Sequence, residues 1–142
     1  MLTEYKEVDK EVFFAAASNI TYRDDDIREA QEFGCEDVIN CFKKALSPFA
    51  RYFIVYEDSR PICAVILRRD GNIVFFIDKV VNHKVKLIRV LKKLARRVVR
   101  KCGPIITKTA SWYNEALRLN RLIGFVPYKL FNGFGLYVLK DN

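Results

Sequence analysis

One cationic amphipathic stretch limits what this chain can fold into. Residues Lys84 to Cys102, KVKLIRVLKKLARRVVRKC, place apolar side chains at Leu87, Leu91, Leu94, Val98 and Cys102. Ile88, Val90, Ala95 and Val99 widen that stripe. The spacing predicts about five turns of amphipathic helix. Its other face carries Lys84, Lys86, Arg89, Lys92, Lys93, Arg96, Arg97, Arg100 and Lys101. A β-branched and aromatic run, Asn72 to Val81, enters the helix, and Pro104 to Ala110 leaves it. Strand, helix and strand joined by short connections predict a right-handed crossover between parallel strands.

The helix also polarises the charge. Between residues 79 and 114 there are 11 Lys and Arg and no Asp or Glu, in a chain of 25 basic and 17 acidic residues. The formal charge of +8 is therefore one basic face on a mildly acidic body. Such a face attracts polyanions: nucleic acid, phosphate-bearing cofactors or an acidic protein surface. The plain alternative is a solvated face that keeps the chain soluble.

A length of 142 residues with 51% hydrophobic and 13% aromatic content argues for one domain, 1–142, with a real core rather than disorder. No apolar run reaches membrane-spanning length, so no membrane partner is expected. The charged start, MLTEYKEVDKEV, lacks an apolar signal core, which points to a cytosol or to packaging from one. The four cysteines, Cys35, Cys41, Cys63 and Cys102, form no CxxC pair, and His83 is the one histidine. Free, mostly buried thiols and no structural metal are expected.

In chain order, Leu2 to Val8 alternates as an edge strand would. Asp9 can cap a helix over DKEVFFAAASNI, and Asp24 or Asp25 a short one, IREAQEFG, ended by Gly34. Cys35 to Leu46 reads as a further helix, stopped by Ser47-Pro48. Three strands follow, Phe49 to Glu57, Ile62 to Arg69 and Ile73 to Lys79, with turn signals at Asp58–Pro61 and Asp70–Asn72. They predict an antiparallel meander whose aromatic residues Phe49, Tyr52, Phe53 and Tyr56 are mostly core. After the basic helix come the strand Pro104 to Ala110, a helix Asn114 to Ile123 closed by Gly124, and a hairpin around Asn132-Gly133. The fold class is α/β with a mixed sheet, helices on both faces, and the order β-α-α-β-β-β-α-β-α-β-β.

That order, together with Tyr113-Asn-Glu-Ala-Leu-Arg-Leu-Asn-Arg-Leu-Ile-Gly-Phe125, resembles the GNAT superfamily of acyl-CoA N-acyltransferases. Ala116, Gly124 and Phe125 fit the family pattern in which a helix runs into a Gly-Phe pair. More narrowly, the REAxxxG stretch (residues 28–34), the compact meander and the Lys/Arg-packed helix resemble the GNAT-like internal virion proteins of short-tailed phages.

The resemblance implies two requirements. A donor's pyrophosphate would sit on bare amides at the start of the basic helix, where the family has Gln/Arg-x-x-Gly-x-Gly/Ala. The corresponding residues are Asn82, His83, Lys84, Val85, Lys86 and Leu87, preceded by Val80 and Val81; both small positions are filled, by Val85 and Leu87. A base and an acid would serve the transfer. Asp78 is the carboxylate nearest the family's base position, Asn120 stands where the family has its Tyr, and Tyr128 is a nearby substitute. Asp78 reads more readily as a cap or as a partner of Lys79 or Lys84 than as a base, and His83 as an exposed helix-start residue rather than a catalytic one. Trp112 and Tyr113 read as a partner anchor or as core.

Three functions compete. The blocked loop and missing Tyr favour a structural or assembly component of a virion, found in the virion or host cytoplasm. Its basic helix (Lys84, Arg89, Lys92, Lys93, Arg96, Arg97, Arg100) would contact other virion proteins or DNA, and no cofactor is expected. The first alternative is an active acetyl-CoA-dependent N-acyltransferase acting on a protein or small amine. The second is a non-specific nucleic-acid-binding module. One geometric feature separates them: whether the sheet splays between Ile73–Lys79 and Pro104–Ala110, leaving a cleft that reaches Val85.

Overall fold

The structure is a computed structural model that describes residues 2–141. Its elements are β1 (Thr3–Val8), α1 (Lys10–Ala17), α2 (Asp24–Glu32), α3 (Val38–Lys44), β2 (Arg51–Glu57), β3 (Arg60–Leu67), β4 (Ile73–Ile77), α4 (Lys84–Cys102), β5 (Ile105–Ala110), α5 (Asn114–Ile123), β6 (Val126–Leu130) and β7 (Phe134–Leu139). This is the expected order with one helix more between the first and second strands: the stretch after Cys35, read as a helix, stands apart as α3. Among the described residues no helix is long and apolar enough to cross a membrane.

The sheet is not continuous. β1-β2-β3-β4 form one antiparallel sheet with β1 at its edge, and β5-β7-β6 form another. One parallel bridge, Asn72 to Ile106, links β4 to β5, made by the Ile106 N–H to the Gly71 carbonyl at 2.9 Å. Beyond it the two parallel strands diverge, so the expected single mixed sheet is instead split into a V. Gly71 sits at the vertex with φ +89, and a Cβ there would lie 2.9 Å from the Pro104 carbonyl oxygen. Only glycine meets both conditions without strain.

Two cores cover opposite faces of the first sheet. Alternation along β2 sends Phe53 and Val55 towards Leu87, Leu91, Leu94 and Val98 of α4, and Ile54 towards Phe13 and Phe42 of α1 and α3. The buried stripe of α4 follows the predicted one, except that Cys102 is exposed at the helix end. Burial of that stripe against the sheet face holds the cationic helix in place. Asp9 caps α1 as expected, accepting the Val12 N–H at 2.8 Å.

Two local expectations are corrected. Arg23, not Asp24 or Asp25, is the N-cap of α2; Asp26 reaches back to the Arg23 N–H from the first turn, where three acids already favour the helix dipole. Phe49 lies outside β2, takes a left-handed φ of 65 after Pro48 and is 79% exposed, with the Arg69 guanidinium over its ring. Tyr52 and Tyr56 are half-buried and Phe53 is core.

Candidate active site

The divergence of β4 and β5 opens a cavity of about 330 Å³ that reaches the first turn of α4. Ile77, Val81 and Leu87 wall one side, Leu119 and Leu122 of α5 the other. Lys79, Lys84 and Arg118 stand at its rim. A second, smaller cavity of about 40 Å³ lies deeper in the V, between Phe75–Ile77 of β4 and Thr107–Thr109 of β5. The two adjoin as an outer and an inner chamber, with Arg23, Ile77 and Leu119 in the walls of both.

The inner chamber is polar, and the acids come from α2. Asp26 and Glu29 project from successive turns towards β5 and α5. The Ala110 N–H donates to Glu29 Oε2 at 2.9 Å, and the Tyr113 hydroxyl to Asp26 Oδ1 at 2.7 Å. Arg23 donates to Asp26 at 3.2 Å and pairs with Glu115 at 2.7 Å. Burial pushes the Glu29 carboxyl up to about 7, helped by Asp26 and Glu32 and opposed by the Ala110 N–H and Arg23. The Tyr113 phenol is raised by burial and by its bond to Asp26, so it stays protonated at neutral pH.

The predicted residues divide. Asn120 lines the inner chamber, 2% exposed, its amide donating to Thr109 Oγ1 at 2.8 Å. Asp78 lines the outer chamber, but its oxygens already accept the N–H of Val80 at 2.8 Å and of Thr21 at 3.2 Å. Its cationic neighbour is Arg60 at 3.5 Å, not Lys79 or Lys84. Tyr128 stands half-exposed on the edge strand β6 and lines neither chamber. Trp112 donates to Glu32 and stacks under Arg28 at 3.8 Å, which with buried Tyr113 ties the β5–α5 loop to α2.

At the loop before α4, the structure holds something the sequence did not suggest. Glu57 ends β2 in the register of Phe53 and Val55, so it points under this loop and is 2% exposed. It accepts the N–H of Asn82 at 3.2 Å and of His83 at 2.9 Å, and Arg60 donates to it at 3.1 Å. Burial pushes this carboxyl up, and those N–H groups with the guanidinium more than reverse the effect, holding it below the usual carboxylate value. Arg60 also donates to the Val80 carbonyl at 2.8 Å. Val81 and Lys84 reach the outer chamber; Val80 and Val85 are 58% and 62% exposed, and Lys86 is exposed. His83 is the N-cap of α4 and makes no side-chain capping bond.

Of the predicted contact residues on α4, Lys84, Arg89, Lys93, Arg96, Arg97 and Arg100 are exposed and Lys92 is half-buried. Arg97 donates to the Tyr5 hydroxyl at 3.1 Å. Among the described residues no ion pair joins Arg89, Lys93, Arg96 or Arg100 to a carboxylate.

No protein-family model and no curated sequence matches the chain. Solved structures do. The ribosomal-protein-S18-alanine N-acetyltransferase of Escherichia coli superposes with a TM-score of 0.67 at 11% identity, over 98% of this chain and 94% of that one. The GNAT domain of an S. lividans protein gives 0.68 at 9%, over 96% and 89%. An aminoglycoside acetyltransferase in complex with coenzyme A gives 0.68 at 12%, over 98% and 95%. The strand order, the parted β4 and β5 and these superpositions agree: the chain has the GNAT acyltransferase fold.

Proposed function

We propose that the protein is an N-acyltransferase that moves a small acyl group from a pantetheine thioester to an amine. The observation that carries this reading is the V between β4 and β5, with two adjoining chambers where a filled sheet would leave none. The outer chamber is walled largely by apolar side chains and offers a thioester arm about 330 Å³ beside β4. The inner one has room for a few heavy atoms, since one water needs about 10–15 Å³ of such volume. A two-carbon acyl group suits it; a long chain does not.

The thioester supplies an activated acyl carbon. The chain supplies the rest. Asp26, Glu29 and the acidic first turn of α2 draw a cationic amine to the inner end. The cationic amine gives one proton to solvent, which frees its lone pair. Glu29, which titrates near neutrality, accepts the second as the amine nitrogen bonds to the acyl carbon and the carbon–sulfur bond breaks. Asn120 carries no acidic proton and holds Thr109 in place. The departing thiolate leaves with its electron pair and takes a proton from water. The virion and nucleic-acid readings rested on a blocked loop and on charge; neither explains a cleft with buried carboxylates at its inner end.

The test is transfer of a labelled acetyl group from acetyl-CoA and from acetyl phosphopantetheine to a panel of peptide, polyamine and aminoglycoside amines, read by mass spectrometry. The reading predicts an acetylated amine and its loss in Glu29→Gln. No product with any amine from acetyl-CoA or from acetyl phosphopantetheine, free or protein-borne, refutes it.

A further inference from the structure

The cleft accepts a thioester arm, yet the loop at its mouth is poorly made for the nucleotide end of coenzyme A. Two of the loop's amides, those of Asn82 and His83, are already held by the Glu57 carboxylate. That carboxylate is buried, ionised and braced by Arg60. A diphosphate brought to the same amides would meet an anion instead of open N–H groups. Val85 and Leu87 add branched side chains where close backbone approach needs none, and Leu87 is fixed in the core.

The charge around the mouth points elsewhere. Lys79, Lys84 and Arg118 rim the outer chamber. Beyond Lys84, on the solvent face of α4 opposite Leu87, Leu91, Leu94 and Val98, lie the exposed Arg89, Lys93, Arg96 and Arg100, free of ion pairs among the described residues. This strip runs about 16 Å along the helix. Cations at the cleft mouth with an uncompensated cationic strip on the same helix are the complement of an acidic protein surface.

We propose that the acyl donor is a thioester on the phosphopantetheine arm of an acidic carrier protein, which docks along α4 and threads its arm between β4 and β5. This rests on the acyltransferase reading and specifies its donor. The arm carries one phosphate, which the three rim cations meet without a diphosphate cradle. Duplex nucleic acid would match the sign of the strip but makes no use of the cations at the cleft mouth.

The experiment is calorimetric binding of three probes: acetyl-CoA, acetyl phosphopantetheine and acetylated holo acyl carrier protein. The carrier is expected to bind at least about tenfold tighter than the free arm. That gain should vanish in the exposed triple variant Arg89→Glu/Lys93→Glu/Arg96→Glu, while the free arm binds the variant as before. Acetyl-CoA should bind no tighter than the free arm. Tighter binding of acetyl-CoA overturns this donor and leaves the acyltransferase reading standing. A carrier gain that survives charge reversal also overturns it. Binding of a duplex DNA oligonucleotide to the strip, with no carrier gain, assigns the face to nucleic acid and overturns it too. Failure of all three thioesters to bind refutes the acyltransferase reading itself.

Discussion

Glu29→Gln should make the protein more stable and less active, in a pH-dependent way. Glu29 is enclosed by α2, β5 and α5, and its carboxyl is pushed from an ordinary 4.5 to about 7. Between those values the unfolded chain has released the proton that the folded chain still holds. Stability therefore falls as pH rises from about 4.5 through 7 and levels off above. The full cost is about 3 kcal/mol for that difference. Glutamine never ionises, and its carbonyl can still accept the Ala110 N–H. Urea unfolding at pH 4.5 and pH 8 should show near-equal stability at the lower value. At pH 8 the variant should lead by up to about 3 kcal/mol, on the order of 10 °C in Tm. Acyl transfer by the parent should rise through pH 7 as Glu29 deprotonates, and the variant should lose about 100-fold or more. A variant less stable than the parent at pH 8, or one with an unchanged pH slope, refutes the buried-base argument.

Other outcomes follow from the same geometry. Glu57→Ala leaves two amides and a guanidinium without their acceptor and should cost about 3 kcal/mol in urea unfolding, with hydrogen exchange rising first at Asn82 and His83. Gly71→Ala puts a methyl against the Pro104 carbonyl at a left-handed φ, and should lower stability by roughly 2 kcal/mol. Leu119→Trp fills the neck shared by both chambers, so thioester binding should disappear while Tm, read by calorimetry, moves little.

Much of the fold is legible in the sequence because period and punctuation are strong. The α4 stripe, the Asp70–Asn72 turn, the Gly124 helix end and the Asn132-Gly133 hairpin each follow from local chemistry. The parting of the sheet does not, because it depends on one bridge at Gly71 and on the absence of pairing beyond it. The site was less legible for a related reason. Asp78 attracts attention as the carboxylate on the strand before the basic helix and Tyr128 by its nearness to the Gly-Phe pair, whereas the inner chamber takes its acids from α2, 81 residues along the chain from Glu29 to its partner Ala110. Asp26 and Glu29 sit three apart on one helix face, which was readable as an acidic pair. Glu57 also left a trace: a carboxylate in the core register of a strand otherwise filled by Phe53 and Val55 must have partners.

The central claim is that the space between β4 and β5 is a channel for a thioester arm. A crystal structure with a thioether analogue of acetyl phosphopantetheine tests it directly. The account predicts the arm in the outer chamber beside Ile77 and Leu119, with its acetyl group in the inner chamber between Phe75–Ile77 and Thr107–Thr109, beside Glu29. An analogue bound elsewhere, with β4 and β5 closed on each other, would contradict it.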